Sequence, residues 1–176
     1  NACFGVTYNY YHRNELTGSY QLKNLENMPE HYRFLYSFQE NQIVGYYFDS
    51  SIVKFIDIID GNKVTKSTYF AKETGKVLYE KFFFYGDDSQ IKSFLYKQMN
   101  DNGDTVYETK SFFLRKDDKV IYNSSGFMIR GNVEHKLIVD GLLYEDYRPL
   151  ICKSYGIVID NKNKMAQTFD SEEVFS

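Results

Sequence analysis

Turn chemistry recurs along this chain at a spacing that leaves room for little except strands. Asp60-Gly61-Asn62, Glu73-Thr74-Gly75, Gly86-Asp87-Asp88, Asn100–Gly103, Lys116-Asp117-Asp118, Asp140-Gly141 and the Asn-rich 160–163 each punctuate an apolar, aromatic or β-branched run. Gly, Asn and Asp supply the positive φ that tight hairpins demand, so these are turns for a physical reason. Repeats of roughly 9–15 residues between turns are those of an antiparallel meander. The spacing predicts an all-β chain, closed or nearly closed into a β-barrel, with little helix. Strands are expected over 43–48, 52–59, 63–71, 76–85, 90–99 and 104–114. Further strands are expected over 119–122, 126–130, 134–139, 142–147, 154–159 and 165–169, with hairpins closed at Asp140-Gly141 and 160–163. An aromatic run at 31–38 precedes them. The one weak helical stretch, 25–32, is interrupted by Pro29 and reads as a loop or lid.

Composition supports the strand reading. The 176 residues include 17 Tyr and 15 Phe but no Trp, and aromatic rings suit a pleated, half-buried surface. Two prolines leave long strands uninterrupted. The alternation in 133–139 puts Val133, His135, Leu137 and Val139 on one face and Glu134, Lys136 and Ile138 on the other. The run 52–59 is apolar on both faces apart from Lys54 and Asp57, which predicts a central strand. In 77–85, Tyr79, Phe83 and Tyr85 face one way, while Phe82 and Phe84 face the other. A net charge of -3 with no Lys/Arg block argues against nucleic-acid binding. No apolar stretch reaches the length of about 18 residues that a membrane-spanning helix needs.

Residues 15–176 read as a single domain preceded by the segment 1–14. Cys3 and Cys152 leave three readings open. They can join in a disulfide, both can be free thiols, or Cys3 can be the acylated residue of a lipoprotein, since Ala2 supplies the small residue that precedes such a cysteine. The last reading makes Cys3 a lipid anchor and 1–14 a tether, and expects a bacterial envelope or secreted location.

The stretch Leu16-Thr17-Gly18-Ser19-Tyr20-Gln21-Leu22, followed by "YRFLYSFQENQIVGYYF", resembles the opening of bacterial lipocalin-like (calycin) domains. That family begins with a Leu-x-Gly-x-Trp-x-Leu strand, and Tyr20 stands where the family has Trp. Asp146 and Tyr147 match the family's second conserved turn. The resemblance implies a barrel base in which Gly18 permits close backbone approach and Tyr20 plugs the end beneath a cavity. It also implies an Arg packed over that aromatic, and Arg130 and Arg148 are the late arginines here.

Other constellations read as structure. Asn100–Asp104 lacks the ligand spacing and terminal Glu of a calcium loop and is expected to be a hairpin turn. His12, His31 and His135 share no metal-ligand spacing, and His135 sits in an apolar row as a core or pocket residue. No nucleophile elbow, phosphate loop or zinc-protease motif is present, so no catalytic residue, metal or cofactor is assigned and the reading leans away from an enzyme. The sequence therefore favours a non-enzymatic binding protein that holds a small hydrophobic or aromatic ligand inside the barrel. By alternation, its ligand-binding residues are Tyr20, Phe70, Phe83, Tyr85, Phe94, Tyr96 and Tyr107, an assignment that a one-residue slip in register inverts. The alternative is a protein-interaction module, such as an immunity, adhesion or assembly protein, with an exposed Tyr/Phe-rich sheet face.

Overall fold

The computed structural model describes residues 11–13, 20–22, 36–39, 41–47, 50–61, 63–145 and 148–175. Among these the chain forms thirteen strands and no helix, and every strand pairing is antiparallel. The strands distribute over two compact units, residues 1–84 and 85–176. Among the described residues no helix is long and apolar enough to cross a membrane.

The first unit holds β1 (Tyr11–Arg13), β2 (Tyr20–Leu22), β3 (Tyr36–Gln39), β4 (Gln42–Tyr46), β5 (Val53–Asp60), β6 (Lys63–Phe70) and β7 (Val77–Tyr85), which ends on the first residue of the second unit. β1 and β2 pair with each other, Arg13 opposite Tyr20, as a separate two-stranded ribbon. The stretch carrying Tyr20 is thus a strand, as expected, and its partner is Tyr11–Arg13. Gly18, Cys3, the 25–32 stretch, Asp146 and Tyr147 lie outside the described residues. From β3 to β7 each strand pairs with the next in chain order.

β5 is central, between β4 and β6. Alternation buries Phe55, Asp57 and Ile59 on one face and leaves Lys54 and Ile58 on the other exposed. Phe55, Tyr69 and Tyr79 sit opposite one another on three adjacent strands. Their rings form a column, with centroids 5.5 Å apart for the first pair and 4.4 Å for the stacked second pair. Gly45, opposite Phe55, belongs to the same row, and a β-carbon there would run into the Phe55 ring. Part of the aromatic excess thus goes into cross-strand pairing, the unit of sheet stabilisation.

The second unit holds β8 (Ile91–Met99), β9 (Thr105–Lys116), β10 (Lys119–Arg130), β11 (Val133–Tyr144), β12 (Pro149–Asp160) and β13 (Met165–Val174), again paired in chain order. Four of these strands are longer than the turn signals suggest, and the hairpin expected at Asp140-Gly141 is absent. Residues 119–122 and 126–130 are one strand running through Ser124 and Ser125, and 134–139 likewise continues without a break to Tyr144. Asp140-Gly141 is no turn. Asp140 lies between Asn123 and Lys153, and Gly141 between Tyr122 and Cys152, so both neighbouring strands hold the dipeptide extended. Among the described residues the positive-φ glycines are Gly61, Gly75, Gly103 and Gly131. The turn between β10 and β11 therefore falls at Gly131-Asn132, where a left-handed φ of 58° is available to glycine without strain. The Asn100 side chain accepts from the backbone N–H groups of Asn102 and Asp104, each at 2.9 Å, which makes Asn100–Asp104 the hairpin turn expected of it.

Candidate functional site

Register divides the second unit into two faces. One carries Phe94 and Tyr96 of β8, Tyr107, Thr109, Ser111 and Phe113 of β9, and Val120, Tyr122, Ser124, Gly126 and Met128 of β10. It continues through His135, Leu137, Val139 and Leu143 of β11, Ser154, Gly156 and Val158 of β12, and Phe169 of β13. Ser111 and Ser124 face each other here, 4% and 3% exposed, with hydroxyls 3.2 Å apart, and Tyr122 reaches Ser111 at 3.3 Å. Two buried hydroxyls need such partners, because an unpaired one costs about 1–3 kcal/mol.

A single row on this face reads Thr109, Gly126, Leu137, Gly156, Phe169, one residue from each of five strands. A β-carbon on Gly126 would collide with the Glu108 carbonyl, and one on Gly156 with the Lys136 carbonyl. Glycine inside a strand marks close backbone approach or a sharp bend, and both positions require it. Phe169 folds across Gly156, its ring edge 2.8 Å from where that β-carbon would stand. Around Gly126 the surface opens instead into a groove of about 160 Å³. By register Thr109, Gly126, Leu137 and Phe169 cross its middle, Tyr107, Met128 and His135 lie to one side and Ser124 and Val139 to the other, and Glu108 and Phe127 also line it.

The residues singled out from sequence fall as follows. Phe94, Tyr96 and Tyr107 share the groove's face, Tyr96 and Tyr107 meet edge to face at 5.5 Å, and Tyr107 lines the groove. Tyr85 is half-buried, and that burial raises its phenol to about 12 by disfavouring the charged form. In the first unit, Phe83 is 3% exposed, Phe70 is half-buried and its carbonyl accepts the Tyr47 hydroxyl at 2.8 Å. Tyr20 is in β2, opposite Arg13. Cys152 carries a free thiol. Arg148 lies over the Tyr144 ring at 5.3 Å, and Lys119 over the same ring at 5.4 Å.

Sequence reasoning did not single out Gly126, Met128 or Phe169. The available signal was a glycine inside an apolar run, but Gly126 reads equally well as the start of a strand. His135 was legible, since its place in the row with Leu137 and Val139 follows from simple alternation.

The opposite face has a different character. Leu114, Ile121, Leu142, Ile151 and Val174 stand in register across β9 to β13 as an unbroken aliphatic row. Leu114 is 63% exposed, Ile121 41% and Val174 70%. Beside it runs Phe112, Asn123, Asp140, Lys153 and Glu172. Asn123 donates to Asp140 at 2.6 Å, the Tyr155 hydroxyl donates to it at 2.5 Å, and Lys153 pairs with Glu172 at 2.7 Å. The Tyr155 bond first, then that from Asn123, holds the Asp140 carboxyl below its ordinary range and correspondingly raises the Tyr155 phenol. No group of three or more metal-ligating side chains gathers among the described residues.

These features define an all-β antiparallel meander with a glycine-floored groove on one sheet face and an aliphatic row on the other. Compared with known protein families, curated proteins and solved structures, the chain matches none.

Proposed function

We propose that the chain is a protein-interaction module whose contact surface is the aliphatic face of residues 85–176. The observation that supports this is the row Leu114, Ile121, Leu142, Ile151 and Val174, continuous over five strands and exposed at three of its members. Soluble proteins seldom leave contiguous apolar surface in water without a use for it. An apolar strip bordered by a hydrogen-bonded polar row has the anatomy of an interface centre and its rim. Leu114→Lys with Ile121→Lys places two charges in that strip at positions already facing solvent. The pair is expected to abolish binding of a hydrophobic dye and cross-links to a partner through the nearby Lys110 and Lys153, with unchanged circular dichroism. Dye binding and cross-links that persist in the double variant refute this use of the face.

A second reading, a lipocalin-like carrier, is supported by the groove and by the close backbone approach at Gly126 and Gly156. Glycine kinks are the means by which a twisted sheet curls towards closure, and a barrel closed in this way would hold a small hydrophobic ligand on the face of Phe94, Tyr96 and Tyr107. In that reading Tyr20 plugs the base, and the protein is either tethered to the bacterial envelope through Cys3 or secreted. Mass analysis of the native N-terminus tests the tether, which requires two or three acyl chains on Cys3.

A further inference from the structure

Four glycines lie inside the described strands: Gly45, Gly126, Gly141 and Gly156. Three of them have an aromatic ring against the place of the missing β-carbon. Phe55 lies over Gly45, Phe169 over Gly156, and Tyr122 Cδ1 is 3.3 Å from the position at Gly141. At Gly126 the nearest atoms are all backbone, those of Glu108 and Thr109, and it is there that the groove opens. The chain thus uses one packing unit repeatedly, a flat ring seated on a glycine between taller neighbours. At Gly126 the same seat is presented to solvent.

We infer that the groove over Gly126 binds a single aromatic ring, seated as Phe169 is seated on Gly156. The inference deepens the carrier reading and rests on it for the presence of a ligand. Volume fixes the size class. An apolar cavity of about 150 Å³ takes up benzene, and the groove is about 160 Å³, well under the roughly 300 Å³ at which sites for larger ligands begin. A single ring fills that volume, whereas a fatty chain or fused ring system would extend beyond it. The walls suit a π-system: Met128 supplies a polarisable sulfur, Tyr107 and Phe169 supply ring edges, and Leu137 and Val139 supply aliphatic contact. His135 at one end and the buried Ser124 at the other give a ring hydroxyl or amine something to bond. The ligand class is therefore a monocyclic arene with one polar substituent, a phenol or aniline.

Saturation-transfer NMR and calorimetry on the full chain with p-cresol, 2-naphthol and dodecanoate test this. The wild type is expected to bind p-cresol, with shifts at Met128 and Val139 methyls, and to bind neither larger probe. Val139→Phe fills the groove from its Ser124 side and is expected to weaken p-cresol at least about tenfold. Phe169→Ala, on the exposed edge strand, joins the Gly156 seat to the Gly126 seat and is expected to admit 2-naphthol. Binding of dodecanoate with no binding of p-cresol overturns the single-ring inference while leaving the carrier reading intact. Failure of all three probes overturns both. Binding of p-cresol that survives Val139→Phe and shifts no groove methyl also overturns the inference.

Discussion

Tyr85 and Asp140 show how a residue's surroundings rather than its type fix its chemistry. The Tyr85 phenol is pushed up to about 12 because burial penalises the phenolate. Its folded value lies above its unfolded one, so its contribution to stability is complete below pH 10. That contribution is lost as the pH rises through 10 towards 12, the unfolded chain ionising first. Spectrophotometric titration should show Tyr85 and Tyr155 ionising late, and Tyr85→Phe should remove one of those steps. Asp140 behaves oppositely. Its carboxyl is held down by the Tyr155 and Asn123 donors, so the stabilisation is present at neutral pH and is lost as the pH falls through the lowered value. Tyr155→Phe removes the larger of the two causes, and a carbon-detected titration of Asp140 should then move up towards the ordinary carboxylate range. An unmoved Asp140 would show that the short hydroxyl bond carries none of the shift.

Strands in the second unit are decided by their neighbours as much as by their own residues. Asp140-Gly141 has hairpin chemistry, yet it runs extended because β10 and β12 both bond across it. A turn there would forfeit ladder bonds on two sides. The same reasoning ranks the glycines. Gly61 sits in a turn at φ 60° with nothing near its missing β-carbon, whereas Gly126 is walled in by backbone. Gly61→Ala is expected to cost about 1–2 kcal/mol, the left-handed penalty of an L-residue. Gly126→Ala must displace the Glu108 carbonyl, a backbone clash at or above the upper end of the roughly 1–3 kcal/mol typical of overpacking. Urea denaturation of the two variants gives the order, and equal midpoints would mean that β9 gives way easily at Glu108.

Across the whole chain, the surface is divided by chemistry more sharply than the composition suggests. Apolar residues at 43% and a net charge of -3 describe an ordinary globular protein. Yet the second unit exposes Leu114, Ile121, Ile138 and Val174 on one face while burying Ser111 and Ser124 on the other. Exposed substitutions away from special contacts change stability by about 0.5 kcal/mol or less. Leu114→Lys with Ile121→Lys should therefore leave the thermal midpoint nearly unchanged while improving solubility at the isoelectric pH. A large fall in the midpoint would mean that the row is packed in the folded protein rather than kept for a partner.

The sequence by itself determined the class of fold. Turn residues are local, and a left-handed φ at Gly61, Gly75 or Gly103 needs no distant contact, so the hairpins that join most strands were legible from four residues at a time. Alternation is equally local, which is why Val133, His135, Leu137 and Val139 fall on one face as expected. Register is not local. Which residues become cross-strand neighbours depends on bulges such as those at Tyr69/Phe70 and Leu142/Leu143, and each bulge shifts the pairing beyond it. The groove needs Thr109, Gly126, Leu137, Gly156 and Phe169 in one row, gathered from 61 positions of chain (169 minus 109 plus one) by four separate pairings. No residue in that row announces the others. Only the tertiary structure brings a glycine from one strand beside the ring of another and leaves one such seat open.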